Sequence, residues 1–333
     1  MELNKDARIL VTGGGGFIGG HMVKYLVDSG HKAVRAVDIK PLEEWHQRVE
    51  GVETQVGDLR DTSVARQAVA DSTYVINLAA DMGGMGFIEN NKALCMLSSL
   101  ISTNVLNEAH KVGVKRFFYS SSACVYAAQY QTRADVTALK EDEAYPADPE
   151  DGYGWEKLFS ERMCRHFNED FGMEISVARY HNVYGPFGSW NGGREKAPAA
   201  VCRKIAEAVL LGRTDMEIWG DGEQTRSFTY IDDCLKGTLL LLTGDYFEPL
   251  NVGSSELVTI NELVSIVEDI AGIRVNRFYN LDAPKGVRGR NSDNTEINRV
   301  FGWEPSTALR DGMATTYRWI FDEVARAIKE GQY

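Results

Sequence analysis

The sequence predicts an α/β fold: a doubly wound parallel sheet with a smaller, interleaved C-terminal α/β substrate domain. Three observations carry this. Through the first half, short apolar runs alternate with helical patterns, as they do where crossover helices cover both faces of a parallel sheet. The first of those runs, ARILVTG, ends in a glycine cluster that opens a helix. After Tyr184 the alternation stops at a Gly- and Pro-rich stretch and gives way to a smaller mixed unit. Residues 1–180 are accordingly read as the first domain, with a return segment near 228–255, and 181–333 as mainly the second.

Taken in order, ARILVTG is a buried strand because it is a short apolar run closed by glycine. GFIGGHMVKYLVDSG is a helix stopped by Gly30, and KAVRAVDI is the next strand. STYVINLAA, a helix through roughly 90–111, VKRFFYSSS and a strand near 175–184 (SVARYHNVYG) continue the alternation. GPFGSWNGGREKAP carries charge as well as Gly and Pro, which marks a long functional loop rather than a tight crossover turn. APAAVCRKIAEAVLLG is a helix, and MEIWGDGEQTRSFTYIDD reads as two strands around a Gly-Asp-Gly turn. LVTINELVSIVEDIAG is a helix whose Thr259 and Glu262 have the spacing of a capping box.

Composition narrows the function. Hydrophobic residues make up 44% and charged residues 25%, an ordinary globular balance. No apolar run approaches the roughly 18 residues that would suggest a membrane span. The N-terminus runs almost directly into a strand, without the charged and apolar segments of a signal peptide. A net charge of −12 argues against a nucleic-acid or membrane-surface binder, which needs a basic footprint. The cysteines (Cys95, Cys124, Cys164, Cys202, Cys234) are odd in number and form no CxxC pair. They point to neither a disulfide framework nor a metal site, and they suit a reducing cytoplasm.

Two segments carry chemistry. In VTGGGGFIGG, Gly13, Gly16 and Gly19, with Phe17 and Ile18 between the last two, fall at GxxGxxG spacing where a strand passes into a helix. Such a loop lets backbone approach a pyrophosphate, and the helix N-terminus supplies free N–H groups and a positive dipole end. The next strand ends at Asp38, placed to accept hydrogen bonds from an adenosine ribose and to repel a 2′-phosphate, so NAD is favoured over NADP. Asp58 and Leu59, after the third strand, fit the border of the adenine; a helix N-cap before Thr62 is an equally good reading of Asp58. Ala79, closing STYVINLAA, completes the expected cofactor set.

The second segment is Tyr153-Gly154-Trp155-Glu156-Lys157. Tyr and Lys at i and i+4 share a helix face. A phenol, with an ordinary pKa of about 10, is a poor base at neutral pH. A nearby ammonium and an oxidised nicotinamide favour phenolate and make it usable. On that reading Tyr153 takes the proton of an alcohol as hydride leaves its carbon. A YxxxK match alone is what any amphipathic helix gives by chance. The discriminating feature lies upstream, where the apolar strand in FFYSSSACVY ends in Ser120, Ser121 and Ser122, and a Ser122 hydroxyl can bind the same alcohol.

Glycine loop, Ser, Tyr and Lys in this order and spacing resemble the extended short-chain dehydrogenase/reductases that act on nucleotide sugars. The resemblance spans nearly the whole chain and implies a Rossmann-type NAD domain with a small nucleotide-sugar domain. Within that family, ADMGGMGFI, SSAC, YGWEK, HNVYGPFG, GGREKAPAA, WGDGEQTRSF and VRGRNSDN are similar to the GDP-mannose 3,5-epimerases. That similarity implies Cys124 and Lys196 as an acid/base pair and Tyr153 and Lys157 as the redox pair. It implies Gly83, Ser122, Ala123, Asn182, Glu195, Ala197, Lys204, Gln224, Arg226 and Arg290 as contacts to GDP and sugar. It also implies GDP-mannose and related GDP-hexoses as substrates, and a homodimer through helices near 90–111 and 153–170. VYAAQY after Cys124 departs from the Pro-Glu pair of the plant enzymes, a change expected to touch no assigned role.

From the residues alone, Cys124 is otherwise a small buried hydrophobe, Lys196 a solvated charge, and the methionines of MGGMG core filling. The implied chemistry gives them work. Carbons 3 and 5 of a hexose become acidic only while carbon 4 is a ketone, and inversion then needs proton carriers on opposite faces. A 4-epimerase and a 4,6-dehydratase compete; the latter usually needs an acidic pair where Ala123 and Cys124 stand. A non-catalytic NAD-binding regulator would lose the Tyr/Lys pair, and both residues are present.

Overall fold

The structure, a computed structural model, describes residues 2–332. Its centre is a sheet of seven strands: β1 (Ile9–Thr12), β2 (Val34–Asp38), β3 (Glu53–Val56), β4 (Tyr74–Asn77), β5 (Arg116–Ser122), β6 (Glu174–Tyr180) and, much later in the chain, β11 (Leu250–Val252). They lie in the order β3-β2-β1-β4-β5-β6-β11, each pair parallel. Strand order reverses between β1 and β4, which opens a crevice at their carboxyl ends. β1, β2 and β4 are buried along their whole length because helices cover both faces.

Successive residues supply opposite cores. Val11 and Phe118 pack with α1 (Phe17–Asp28) and α8 (Ile231–Thr243), whereas Leu10 and Phe117 pack with α2 (Thr62–Val69), α5 (Ser98–Lys111) and α6 (Asp151–Phe171). The helix expected through roughly 90–111 arrives in pieces. α3 (Met85–Asn90) and α4 (Lys92–Met96) precede α5, and Asn91 (φ −133°, ψ 40°) leaves helical geometry between them. The strand expected near 175–184 also divides. β6 ends at Tyr180, Asn182 takes φ +40°, and β7 (Val183–Tyr184) turns away to pair with β10 (Thr229–Tyr230).

The smaller layer has its own core, formed by α7 (Ala197–Leu211), α9 (Ile260–Ala271) and α11 (Leu309–Lys329). The two strands expected around Gly-Asp-Gly are present as β8 (Asp215–Trp219) and β9 (Thr225–Ser227), but they do not pair with each other. β8 runs parallel to β13 (Asn276–Asn280). β9 lies between β12 (Leu257–Thr259), antiparallel, and β14 (Gly289–Arg290), parallel. Thr259 caps α9, its hydroxyl accepting the Glu262 N–H at 3.0 Å while the Glu262 carboxylate accepts the Thr259 N–H at 2.7 Å. The chain returns to the large sheet through β11, beside which α10 (Thr295–Phe301) packs. No helix among the described residues is long and apolar enough to cross a membrane.

Candidate active site

β1 delivers the chain into the crevice at Gly13, whose φ of +70° is the left-handed region that glycine reaches without strain. A Cβ on Gly19 would sit 2.0 Å from the Gly13 carbonyl oxygen, so only glycine lets α1 begin this close to the loop. Gly16 precedes α1 without a side-chain cap, which leaves the first-turn N–H groups of Phe17 and Ile18 for an anion. Asp38 ends β2, where one carboxylate oxygen accepts the Gly15 N–H at 3.0 Å and the other the Lys40 N–H at 3.0 Å, fixing the side chain at the loop rim. The Thr12 hydroxyl, bonded to Asn77 at 2.6 Å, also accepts the Ala79 N–H at 3.2 Å and locks the ends of β1 and β4 together.

Asp58 does not cap a helix. That role falls to Asp61, which accepts the Ser63 N–H at 2.7 Å, while Arg60 grips Asp58 at 2.6 Å and holds its carboxyl below the usual range. Leu59 is buried beside it. The glycine cradle and the rim carboxylate fit a dinucleotide carrying a free ribose.

Tyr153 and Lys157 stand in the first two turns of α6, and two glycines bring that helix onto the site. A Cβ on Gly152 would lie 2.7 Å from the Lys92 carbonyl, and one on Gly154 2.3 Å from the Cys124 carbonyl. Ser122 ends β5 and caps the turn Ala123–Val125, its hydroxyl accepting the Cys124 N–H at 3.2 Å. The Lys157 ammonium lies 5.6 Å from the centre of the Tyr153 ring. It also lies 3.6 Å from Glu156, a buried carboxylate that accepts from Ser102, Tyr119 and Ser160. Burial pushes the Tyr153 phenol well above its ordinary range, Cys124 and Glu156 add to this, and Ser122 opposes it. The ammonium sits over the ring and shares its charge with Glu156.

Lys196 closes the loop as the residue before α7, which begins at Ala197 with Pro198 in its first turn. The segment that carries it docks on the methionine loop. The Gly84 N–H donates to the Arg194 carbonyl at 3.0 Å, and the Arg194 guanidinium lies 3.9 Å from the centre of the Phe87 ring and bonds Asp81 at 3.1 Å. A Cβ on Gly84 would lie 2.4 Å from the Glu195 carbonyl, so the backbone that this glycine admits is the chain's own. Gly83 packs against Phe87, and Met82 joins the cluster of Cys95, Cys124 and Tyr153. Glu195 holds Arg203 at 3.2 Å. Burial lowers the Lys196 ammonium, and the charge of Cys124 opposes this. Burial raises the Cys124 thiol, and Arg290 opposes that.

The other expected substrate residues are each held by main-chain carbonyls. Arg226 is engaged by the carbonyls of Thr225 at 2.7 Å and Val287 at 2.6 Å, and burial beside Arg290 brings it down to about 10. Lys204 bonds the Glu217 carbonyl at 2.7 Å, and Asn182 the Ser227 carbonyl at 3.0 Å. Gln224 donates to the Trp219 carbonyl at 2.8 Å, leaving its own oxygen buried and unbonded among the described residues. The departure at VYAAQY leads into the turn Ala128–Gln131, whose last residue, Gln131, bonds Arg290 at 2.6 Å.

Comparison with known proteins agrees with this arrangement. The chain is 46% identical over 330 residues to GDP-mannose 3,5-epimerase 1 of Oryza sativa subsp. indica, covering 98% of this chain and 85% of that protein. It is 43% identical to GDP-mannose 3,5-epimerase of Arabidopsis thaliana, covering 98% and 86%. Among solved structures, UDP-glucose 4-epimerase of Thermotoga maritima with UDP-glucose superposes with a TM-score of 0.85 at 27% identity, over 95% of this chain and 99% of that one. The Thermus thermophilus UDP-glucose 4-epimerase complex with NAD gives 0.79 at 25% identity, over 94% and 98%. The profile of the NAD dependent epimerase/dehydratase family matches residues 9–253, from the strand that feeds the glycine loop to the strand that completes the large sheet. The chain belongs to that family.

Proposed function

We propose that the protein inverts carbons 3 and 5 of GDP-D-mannose to give GDP-L-galactose, with GDP-L-gulose where carbon 5 alone inverts. The observation that carries this is a thiol, Cys124, packed with the redox Tyr153. Lys196 follows the backbone segment docked on Gly84, in the loop whose Met82 joins the same cluster. A 4-epimerase has no use for either, and a 4,6-dehydratase would need acidic groups where Ala123 and Cys124 stand. The similarity to the plant 3,5-epimerases over almost the whole chain supports the same reading.

Residues 1–180, with the return segment near 228–255, are proposed to hold NAD, and 181–333 mainly the nucleotide sugar. Gly13, Gly16 and the first turn of α1 would hold the pyrophosphate and Asp38 the adenosine ribose. A dinucleotide held there would supply the hydride acceptor and donor for carbon 4, which would stand as a ketone between the two transfers. Tyr153 takes the proton of the carbon-4 hydroxyl as a phenolate and holds it as a phenol during that interval, Ser122 bonds the same oxygen, and Lys157 favours the phenolate before and after. Cys124 and Lys196 take a proton from one face of the ring and return one to the other. Arg226 and Lys204 face the diphosphate, local cations in a chain of net charge −12. The free cysteines suit a reducing cytoplasm.

Incubation with GDP-mannose in deuterated water, followed by NMR of the sugar, tests the reading. Deuterium is expected at carbons 3 and 5 and not at carbon 4, whose hydrogen leaves and returns as hydride. Inversion at carbon 4 with no label at 3 or 5 overturns the proposal in favour of a 4-epimerase. Label at carbon 5 with loss of the carbon-6 hydroxyl overturns it in favour of a dehydratase.

The same reading includes a homodimer. Met96, Leu97 and Leu100 on α4 and α5, and Trp155 and Phe159 on α6, are exposed. The two longer helices run side by side, with the Thr103 hydroxyl 3.6 Å from the Met163 sulfur. An apolar face of this kind is what a second copy covers. Phe159→Glu is expected to halve the mass seen by light scattering while NAD stays bound. An unchanged mass, or a wild-type protein already monomeric, removes the dimer.

A further inference from the structure

We infer that Glu150 and Gln131 are positioning residues that hold the Arg290 guanidinium against the Cys124 sulfur and so set how readily that thiol gives and takes a proton. This deepens the reading of Cys124 as a proton carrier and rests on it.

The geometry leaves the guanidinium little freedom. Arg290 is 4% exposed. Its Nε donates to Gln131 Oε1 at 2.6 Å, its Nη2 to Glu150 Oε2 at 2.6 Å, and its Nη1 to Cys124 Sγ at 3.4 Å. Both clamps are themselves fastened by backbone. The Glu150 N–H donates to the Cys124 carbonyl at 3.0 Å, tying the start of α6 to the turn that carries the thiol. The Arg288 N–H donates to the Gln131 carbonyl at 2.9 Å, tying the clamp to the strand that carries Arg290. A Cβ on Gly289 would lie 2.1 Å from the Arg133 carbonyl, so β14 is pressed onto this segment. With two of its three nitrogens bound on either side, the third is aimed at sulfur.

Electrostatics gives the arrangement its purpose. A carrier that removes one proton and returns another works best when neither form is locked in. Burial alone would keep Cys124 a thiol. A bare guanidinium in contact would hold it as thiolate. Glu150 moderates that cation, since its charge favours the thiol where the charge of Arg290 favours the thiolate. The other titratable groups around the sulfur are Arg226 on β9, Lys196 before α7, Tyr153 on α6 and Cys95 on α4. Arg290 makes the direct contact, and Glu150 and Gln131 decide where it points.

The test titrates the thiol in the NAD-loaded protein by thiolate ultraviolet absorbance, each protein against its own Cys124→Ala counterpart. Glu150→Gln keeps an acceptor for Nη2 but removes the negative charge, so the Cys124 midpoint is expected to fall by about one pH unit. Gln131→Leu frees the guanidinium and Arg290→Met removes it, and both are expected to raise the midpoint, the latter by about 1–3 units. Opposite signs from the two ends of one ion pair are something loosened packing cannot give. If Arg290→Met does not fold, Arg290→Lys, whose single nitrogen cannot span Gln131, Glu150 and the sulfur as the guanidinium fork does, is expected to raise the midpoint as well. No shift in Glu150→Gln, or shifts of the same sign in Glu150→Gln and the Arg290 variant, overturns the inference. The titration needs no sugar, so its failure is distinct from failure of the wild type to exchange deuterium at carbons 3 and 5, which would strike the proposed reaction instead.

Discussion

Cys124→Ala is expected to retain NAD and to go on oxidising carbon 4, yet to lose deuterium exchange at carbons 3 and 5 by about 10²–10⁴-fold, the usual worth of a positioned acid or base. Tyr153, Lys157 and Ser122 are untouched by the change. The alanine removes only a sulfur beside them, in a turn whose backbone is fixed by the Ser122 cap and the Glu150 N–H. Lys196→Ala should produce the same loss from the other face, and the methionine loop keeps its grip because that grip uses Arg194 and the Glu195 backbone. Cys124→Ser is the sharper probe. It preserves shape closely but replaces a thiol with a hydroxyl that ionises far less readily, so exchange should stay slow. If both alanine variants exchange at the wild-type rate, Cys124 is a packed core thiol and Lys196 an ordinary cation.

Tyr153→Phe attacks the earlier step and is expected to lower turnover by about 10²–10⁴-fold, with GDP-mannose still bound. Loss of exchange at carbons 3 and 5 should accompany it, because neither C–H bond is acidic while carbon 4 remains an alcohol. The two substitutions are therefore told apart by carbon 4: oxidation survives in Cys124→Ala and fails in Tyr153→Phe. A Tyr153→Phe protein within a few-fold of wild type would show that another group takes the hydroxyl proton.

Much of this was legible in the sequence because the signals are local. Gly13, Gly16 and Gly19 report a close backbone approach, Thr259 and Glu262 a helix start, and Tyr153 and Lys157 a shared helix face. What escaped was set by contacts between distant segments. Glu150 sits three residues before Tyr153 and reads as a surface acid until β14 brings Arg290 to it. Gln131 directly follows the VYAAQY segment, and nothing in its neighbours announces a partner 159 residues away. Glu156, between Trp155 and Lys157, looks like the solvent side of an amphipathic helix, yet three hydroxyls bury it. Asp58 lost its capping reading to Asp61 because the turn placed Arg60 back across its carboxylate. At Gly84 the close neighbour is the Glu195 carbonyl of the same chain, a contact between distant segments that pattern alone does not give.

The return of β11 to the large sheet bears on how such a protein can be taken apart. Leu250–Val252 hydrogen-bonds along Ala178–Tyr180, and α8, which precedes it, covers Phe118. A chain cut after Tyr180 would bare a flat strand edge and an apolar face together, the combination that recruits other molecules into aggregates. The cofactor half is thus not a cassette that can be lifted out and joined to a foreign partner. Recombination that alters sugar choice has to respect these crossings, exchanging the residues between β7 and α8 and those after β11 other than α10, while leaving the stretch from α8 through β11, together with α10, with its parent sheet.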